Sequence, residues 1–246
     1  IEDHFPNGHP PLEQLGIIFT SRKIVDKSAH MKACTCLNPM DTALGIYGCL
    51  LGYQTVHEEM KDPQLVNLIT RMSELEAMPM VEDPGVINPS EFLHEVLSER
   101  YPNPFLPDTP QRTATDTSQK LAIRFGETLY AYYNSPIPMH RVSHLTYIPL
   151  VLAGWLRYLL SVDDNGNHFE RSPDPMLPYL DQVLAGITLG GDPAKEKQLY
   201  PLLCSKPIFG ANLYEVGLAD RVTEMFIELT RGPGAIRETL KKYCGE

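Results

Sequence analysis

No stretch of the chain reads as a phosphate-cradling loop. A strand followed by G-x-G-x-x-G and a helix is missing, and so is G-x-x-x-x-G-K. The nearest approach, GPGAIR at 232–237, lacks the third glycine and falls between two helical segments, where it reads as a turn. Basic charge is also short. Lys and Arg number 21 against 31 Asp and Glu, a net charge of −10, which excludes nonspecific binding to nucleic acid or to an anionic membrane and suits a soluble cytoplasmic enzyme.

The five cysteines, Cys34, Cys36, Cys49, Cys204 and Cys244, are odd in number and contain no C-x-x-C pair, so neither a disulfide framework nor a zinc site is expected. They read as reduced and mostly buried. The C-x-C pair at 34 and 36 lies in an apolar helix without a second pair, and no metal ligands are read from it. The chain opens on acidic, Pro-rich IEDHFPNGHPP, without the basic and then apolar run of a signal peptide, and the missing initiator Met points to a fragment. The most apolar run, LTYIPLVLAGWLRYLL at 145–160, is too short for a membrane span and carries Pro149 and Arg157; it reads as a buried core helix. There is also no G-x-S-x-G, no fixed-period repeat and no linker that would divide the chain.

What is present is helix. An apolar share of 43% over 246 residues is ample for a core, and the 3.6-residue spacing recurs from residue 23 to the C-terminus. GIIFT at 16–20 is the one expected strand, so the fold class is all-α with one short N-terminal strand. Within MKACTCLNPMDTALGIYGCLLGY, Asn-Pro marks a corner between two helices. Asn38 is expected to cap the second helix, with Pro39 first and Asp41 third in it.

Two constellations could carry chemistry. Lys32, Asn38 and Asp41 surround the corner, where a desolvated lysine can serve as acid or base; the bland reading makes them a solvated charge and two caps. Arg112, Asp116 and Lys120, four apart on a long expected helix at 109–133, stack on one face. Either Asp116 pairs with both cations on a solvated surface, or Arg112 and Lys120 face a pocket and bind an anion such as a carboxylate. The pair His140 and His144 has no acidic neighbour and reads as cap and core.

The opening IED-F-P-G--P, the segment MK----LN at the corner and above all DTPQR---D-SQKL--R at 108–124 resemble the C-terminal domain of the long-chain mannitol dehydrogenase family, which includes mannitol 2-dehydrogenase, fructuronate reductase and tagaturonate reductase. The resemblance covers nearly the whole chain. It implies a two-domain enzyme in which an N-terminal Rossmann domain, absent from this chain, binds NAD or NADP. Residues 1–30 would then be the interdomain crossing and 31–246 the helical substrate and catalytic domain, inactive without its nucleotide-binding partner. Carried over by position, Lys32 is the general acid/base, Asn38 an oxyanion donor, and Arg112 and Lys120 the grip on the far end of a sugar acid or polyol. A keto-hexuronate of the fructuronate type is the first expectation, a polyol the second, and a sugar-acid-binding domain without chemistry the alternative.

Two positions depart from the family pattern. Lys32 stands six residues before Asn38 where the family has five, so a bulge or shift is needed to restore the geometry. Asp41 stands where the family has histidine. At the start of a helix its carboxyl is expected to titrate low and to donate no proton, and activity is expected to be reduced or altered.

Overall fold

The structure, a computed structural model, describes residues 1–191 and 197–245. Two helices form its centre. Asn38–Leu51 buries 11 of its 14 residues and Tyr147–Tyr158 buries 11 of 12, the pattern of helices surrounded by protein on every side. They approach closely because Gly154 leaves its side-chain space to Tyr47: a Cβ at residue 154 would lie 2.7 Å from the tyrosine ring. Tyr47 in turn donates from Oη to the Leu150 carbonyl at 2.8 Å, so the phenol is buried with its polar end satisfied.

Ala219–Leu229 and Ala235–Cys244 pack outside this pair, joined by the GPG turn. Arg157, fully buried, ties the first of them in by donating to the Leu229 carbonyl, and it also donates to the carbonyls of Val162 and Asp163. Burial pulls its guanidinium down to about 10, and the carbonyls take the place of the water it has lost. Asp164 accepts from the backbone N–H groups of Ile236 and Arg237, capping the last helix. No helix among the described residues is long and apolar enough to cross a membrane.

The all-α class expected from periodicity holds, with several local differences. In place of a strand at 16–20 there is one isolated bridge, Glu2 with Thr20, because only residues 1–3 lie alongside and a strand needs a longer ladder. The helix expected to run on to Met60 stops at Gly52, whose φ of 79° ends it, and a short helix Val56–Glu59 restarts behind a Thr55 capping box. The long helix expected at 109–133 is broken: Pro110–Thr113 ends in a turn, Asp116 adopts a left-handed conformation (φ 52°), and Thr117–Leu121 begins afresh. Of the helix expected within PAKEKQLYPLLC, residues 193–196 lie outside the described residues; Tyr200–Leu203 is helical.

Candidate active site

The corner is built by a π turn. Arg22–Met31 is α-helical, but from Lys32 to Cys36 the helix widens, and the Leu37 N–H donates to the Lys32 carbonyl at 3.2 Å, a step of five residues. The next helix starts one residue earlier than expected. The Leu37 carbonyl accepts from the N–H groups of both Met40 and Asp41 at 3.1 Å, so Leu37 is the cap, Asn38 the first helical residue and Asp41 the fourth. Proline still sits in the first turn, where its missing N–H costs nothing. The Asn38 side chain is thereby released from capping and makes no hydrogen bond to any described residue; its carbonyl accepts from Thr42 Oγ1.

Lys32 is half-buried, with Nζ 5.1 Å from the centre of the Phe92 ring. It lies between two clefts. One, of about 550 Å³, is lined by Ile1, Ile18, Val25 and Phe92 among others. The second, of about 450 Å³, is lined by Lys32, Leu37, Phe92, Arg100 and Asn103. Behind Leu37, Tyr101 Oη donates to the Leu37 carbonyl (3.1 Å) and to Asp41 Oδ1 (2.8 Å), locking the corner to the helical segment that carries Arg100.

Asp41 does not titrate low. Burial pushes its carboxyl up, while the Tyr101 hydrogen bond and the Arg124 and Arg100 guanidinium groups hold it back and Asp108 adds to the rise. The expectation of a depressed value fails because Asp41, at the fourth position and still in the first turn, is mostly out of water, where desolvation outweighs the helix dipole. Replacing Tyr101 by Phe is expected to raise the Asp41 carboxyl further and to cost about 1–3 kcal/mol of stability at neutral pH, since a buried acceptor loses its donor. Urea denaturation of the two proteins measures it.

Arg112 and Lys120 do not share a helix face, because the break at 114–116 lies between them. Asp116 pairs with neither: its N–H donates to the Pro173 carbonyl, and it starts the next helix. Arg112, 64% exposed, is held by Asp108, which also lies 3.7 Å from Arg100. Lys120 donates to the Thr115 carbonyl, and burial together with the cations Arg124 and Arg112 lowers its titration point, with Asp116 and Asp174 opposing. Sequence reasoning left Arg124 without a role, although it closes the pattern DTPQR---D-SQKL--R. It donates to Thr42 Oγ1 at 2.5 Å, from within electrostatic reach of both Asp41 and Lys120.

An all-helical domain thus carries a lysine and an amide at a π-turn corner, with Arg100 and Arg112 on Asp108, Arg124 within electrostatic reach of Asp41, and Lys120 within reach of Arg112 and Arg124. A family model described as the mannitol dehydrogenase C-terminal domain matches residues 25–227, and the chain belongs to that family. It is 50% identical over 247 residues to a D-mannonate oxidoreductase of Thermotoga maritima, with all of this chain and 45% of the relative covered. A mannitol dehydrogenase of Saccharomyces cerevisiae is 33% identical over 193 residues, covering 78% of this chain and 36% of the relative. Among solved structures, the Pseudomonas fluorescens mannitol 2-dehydrogenase in ternary complex with NAD and D-mannitol superposes with a TM-score of 0.76 at 28% identity, covering 98% of this chain and 45% of that one. A substrate-free D-sorbitol dehydrogenase, at 22% identity and a TM-score of 0.74, over 96% of this chain and 44% of its own, shows the same fold. The chain spans less than half the length of these relatives.

Proposed function

We propose that residues 31–246 are the substrate-binding and catalytic part of an NAD(P)-dependent reductase that interconverts a keto-hexuronate of the fructuronate type with its hexonate. The observation that carries this reading is the 50% identity over the whole chain to a D-mannonate oxidoreductase, whose name specifies a sugar acid. The cations support it: Arg112, Lys120 and Arg124 offer donors to a carboxylate at the far end of the substrate. The cofactor, bound by a nucleotide-binding domain outside these residues, supplies hydride. This chain's part is to hold the substrate and to manage the proton.

Lys32 gives a proton to the alkoxide oxygen as the ketone is reduced and takes it back in oxidation. Asn38, unused as a cap, donates to the same oxygen as it gains charge, a contribution of roughly 3–4 kcal/mol for one such donor. The π turn supports these roles, since one extra residue in a widened turn offsets the six-residue spacing of Lys32 and Asn38 without displacing the lysine from the corner. Asp41, half-shielded by Tyr101 and two arginines, orients the corner and does not hand a proton to the substrate.

A second reading, a sugar-acid-binding domain without chemistry, draws on Asp41 alone. Loss of nicotinamide absorbance tests the two on the full-length protein, with NADH or NADPH and fructuronate, tagaturonate or fructose as substrate. Turnover with a hexuronate is expected. Binding of the acids without turnover of any substrate would move the protein to the second reading.

A further inference from the structure

On the side of the π turn away from Lys32, three chemically distinct donors converge. His30 and Cys34 stand four apart, on one face of the chain as it passes from helix to π turn, and Lys32, two residues from each, points elsewhere. Glu127, the first residue of the helix Glu127–Asn134, reaches the same point, and its carboxylate meets His30 Nε2. One donor atom from each of the three lies within 4.8 Å of the others. In a tetrahedral zinc site, bonds of about 2.0–2.3 Å bring donors to roughly 3.3–3.8 Å apart, so side-chain adjustment alone closes the set.

We propose that His30, Cys34 and Glu127 bind a single borderline-soft divalent cation of the zinc type, with Glu82 as the carboxylate that orients the histidine. Three further observations support it. Cys34 is 3% exposed and its thiol has no hydrogen-bond partner among the described residues, so it is a buried group aimed into the cluster. His30 Nδ1 is likewise buried without a hydrogen bond, and the Glu82 carboxylate stands 3.5 Å from it, the carboxylate–imidazole arrangement that fixes a metal-binding tautomer. Lys27 holds Glu82 in turn, at 3.0 Å.

The scaffold is also fixed. Thr128 Oγ1 donates to the Cys34 carbonyl at 3.3 Å, docking the Glu127 helix on the π turn. Glu127 and His30 are both open to solvent, which gives an ion its route in, and three protein ligands leave the fourth position for water. A cation here clamps the turn that presents Lys32 without facing its cleft. The pattern escaped sequence reading because His-x-x-x-Cys is a half-set completed only by a residue 97 positions away.

The test is metal titration of the chelator-treated full-length protein, by calorimetry with Zn²⁺ and by absorbance with Co²⁺. The expected result is one ion that Cys34→Ser loses and Cys36→Ser keeps, with a near-ultraviolet sulfur-to-cobalt band. Glu82→Gln is expected to weaken affinity by about 10–100-fold while keeping that band. If Cys34→Ser fails to fold by circular dichroism, His30→Gln and Glu127→Gln, at partly exposed positions, carry the same comparison. Absence of the sulfur-to-cobalt band in the wild type, or metal binding unchanged in every ligand variant, overturns the proposal.

Discussion

Lys32→Ala in the full-length protein is expected to lower kcat by about 10²–10⁴-fold, the range for removal of a positioned general acid, with a much smaller change in KM. The structure favours a clean experiment. Lys32 has no ion-pair or hydrogen-bond partner among the described residues, only the Phe92 ring beneath it, so truncation strands no buried charge and leaves the π turn's backbone bonds in place. A group that acts on the reacting oxygen alone lowers kcat and kcat/KM together, whereas one that merely helps hold the substrate raises KM. Steady-state kinetics separate the two, and a variant within about threefold of wild type in kcat removes Lys32 from the chemistry.

The second large effect concerns stability. Glu59 is fully buried with neither carboxylate oxygen hydrogen-bonded among the described residues, pressed against the space that Gly48 leaves open in the central helix. Burial, and then the charges of Asp62 and Glu58, push its carboxyl well above the ordinary glutamate range. The folded protein therefore keeps a proton that the unfolded chain gives up near the usual value of about 4.3. Stability contributed by that proton is fully present below the unfolded value and is lost as pH rises toward the folded one, at up to about 1.4 kcal/mol per pH unit. Glu59→Gln has no proton to lose. It is expected to raise stability at neutral pH and to flatten the decline; Asp41 and Glu76, also raised by burial, keep part of the slope. Urea denaturation at several values between about pH 5 and 8 reads the difference, and parallel curves for the two proteins would show that Glu59 is not held neutral.

Much of the fold was legible because local chemistry sets it. Asp62, Asn88 and Thr109 cap the helices that their Asp-Pro, Asn-Pro and Thr-Pro pairs announce, and the most apolar run, at 145–160, becomes one of the two central helices. What was misread turns on single residues. A left-handed Asp116 breaks a run that helical periodicity carries straight through, and Leu37 rather than Asn38 takes the cap because the widened turn before it leaves its carbonyl free. A π turn adds one residue without changing composition, so the odd spacing of Lys32 and Asn38 was visible while its structural form was not. At the site, the cations were legible as charges, and Arg124 stood in plain sight at the end of a motif. Tyr101 and Phe92 were not: they reach the corner from more than fifty residues away, and no local pattern marks them.

The measurement that decides most is the initial rate of NADH oxidation by the full-length protein with fructuronate and, separately, with fructose. A carboxylate gripped by the cations of this domain gains charge-assisted hydrogen bonds of about 1.5–3 kcal/mol, so kcat/KM for the acid should exceed that for the neutral ketose by roughly tenfold or more. Equal values, or a preference for fructose, would contradict the sugar-acid assignment and leave the protein among the polyol dehydrogenases.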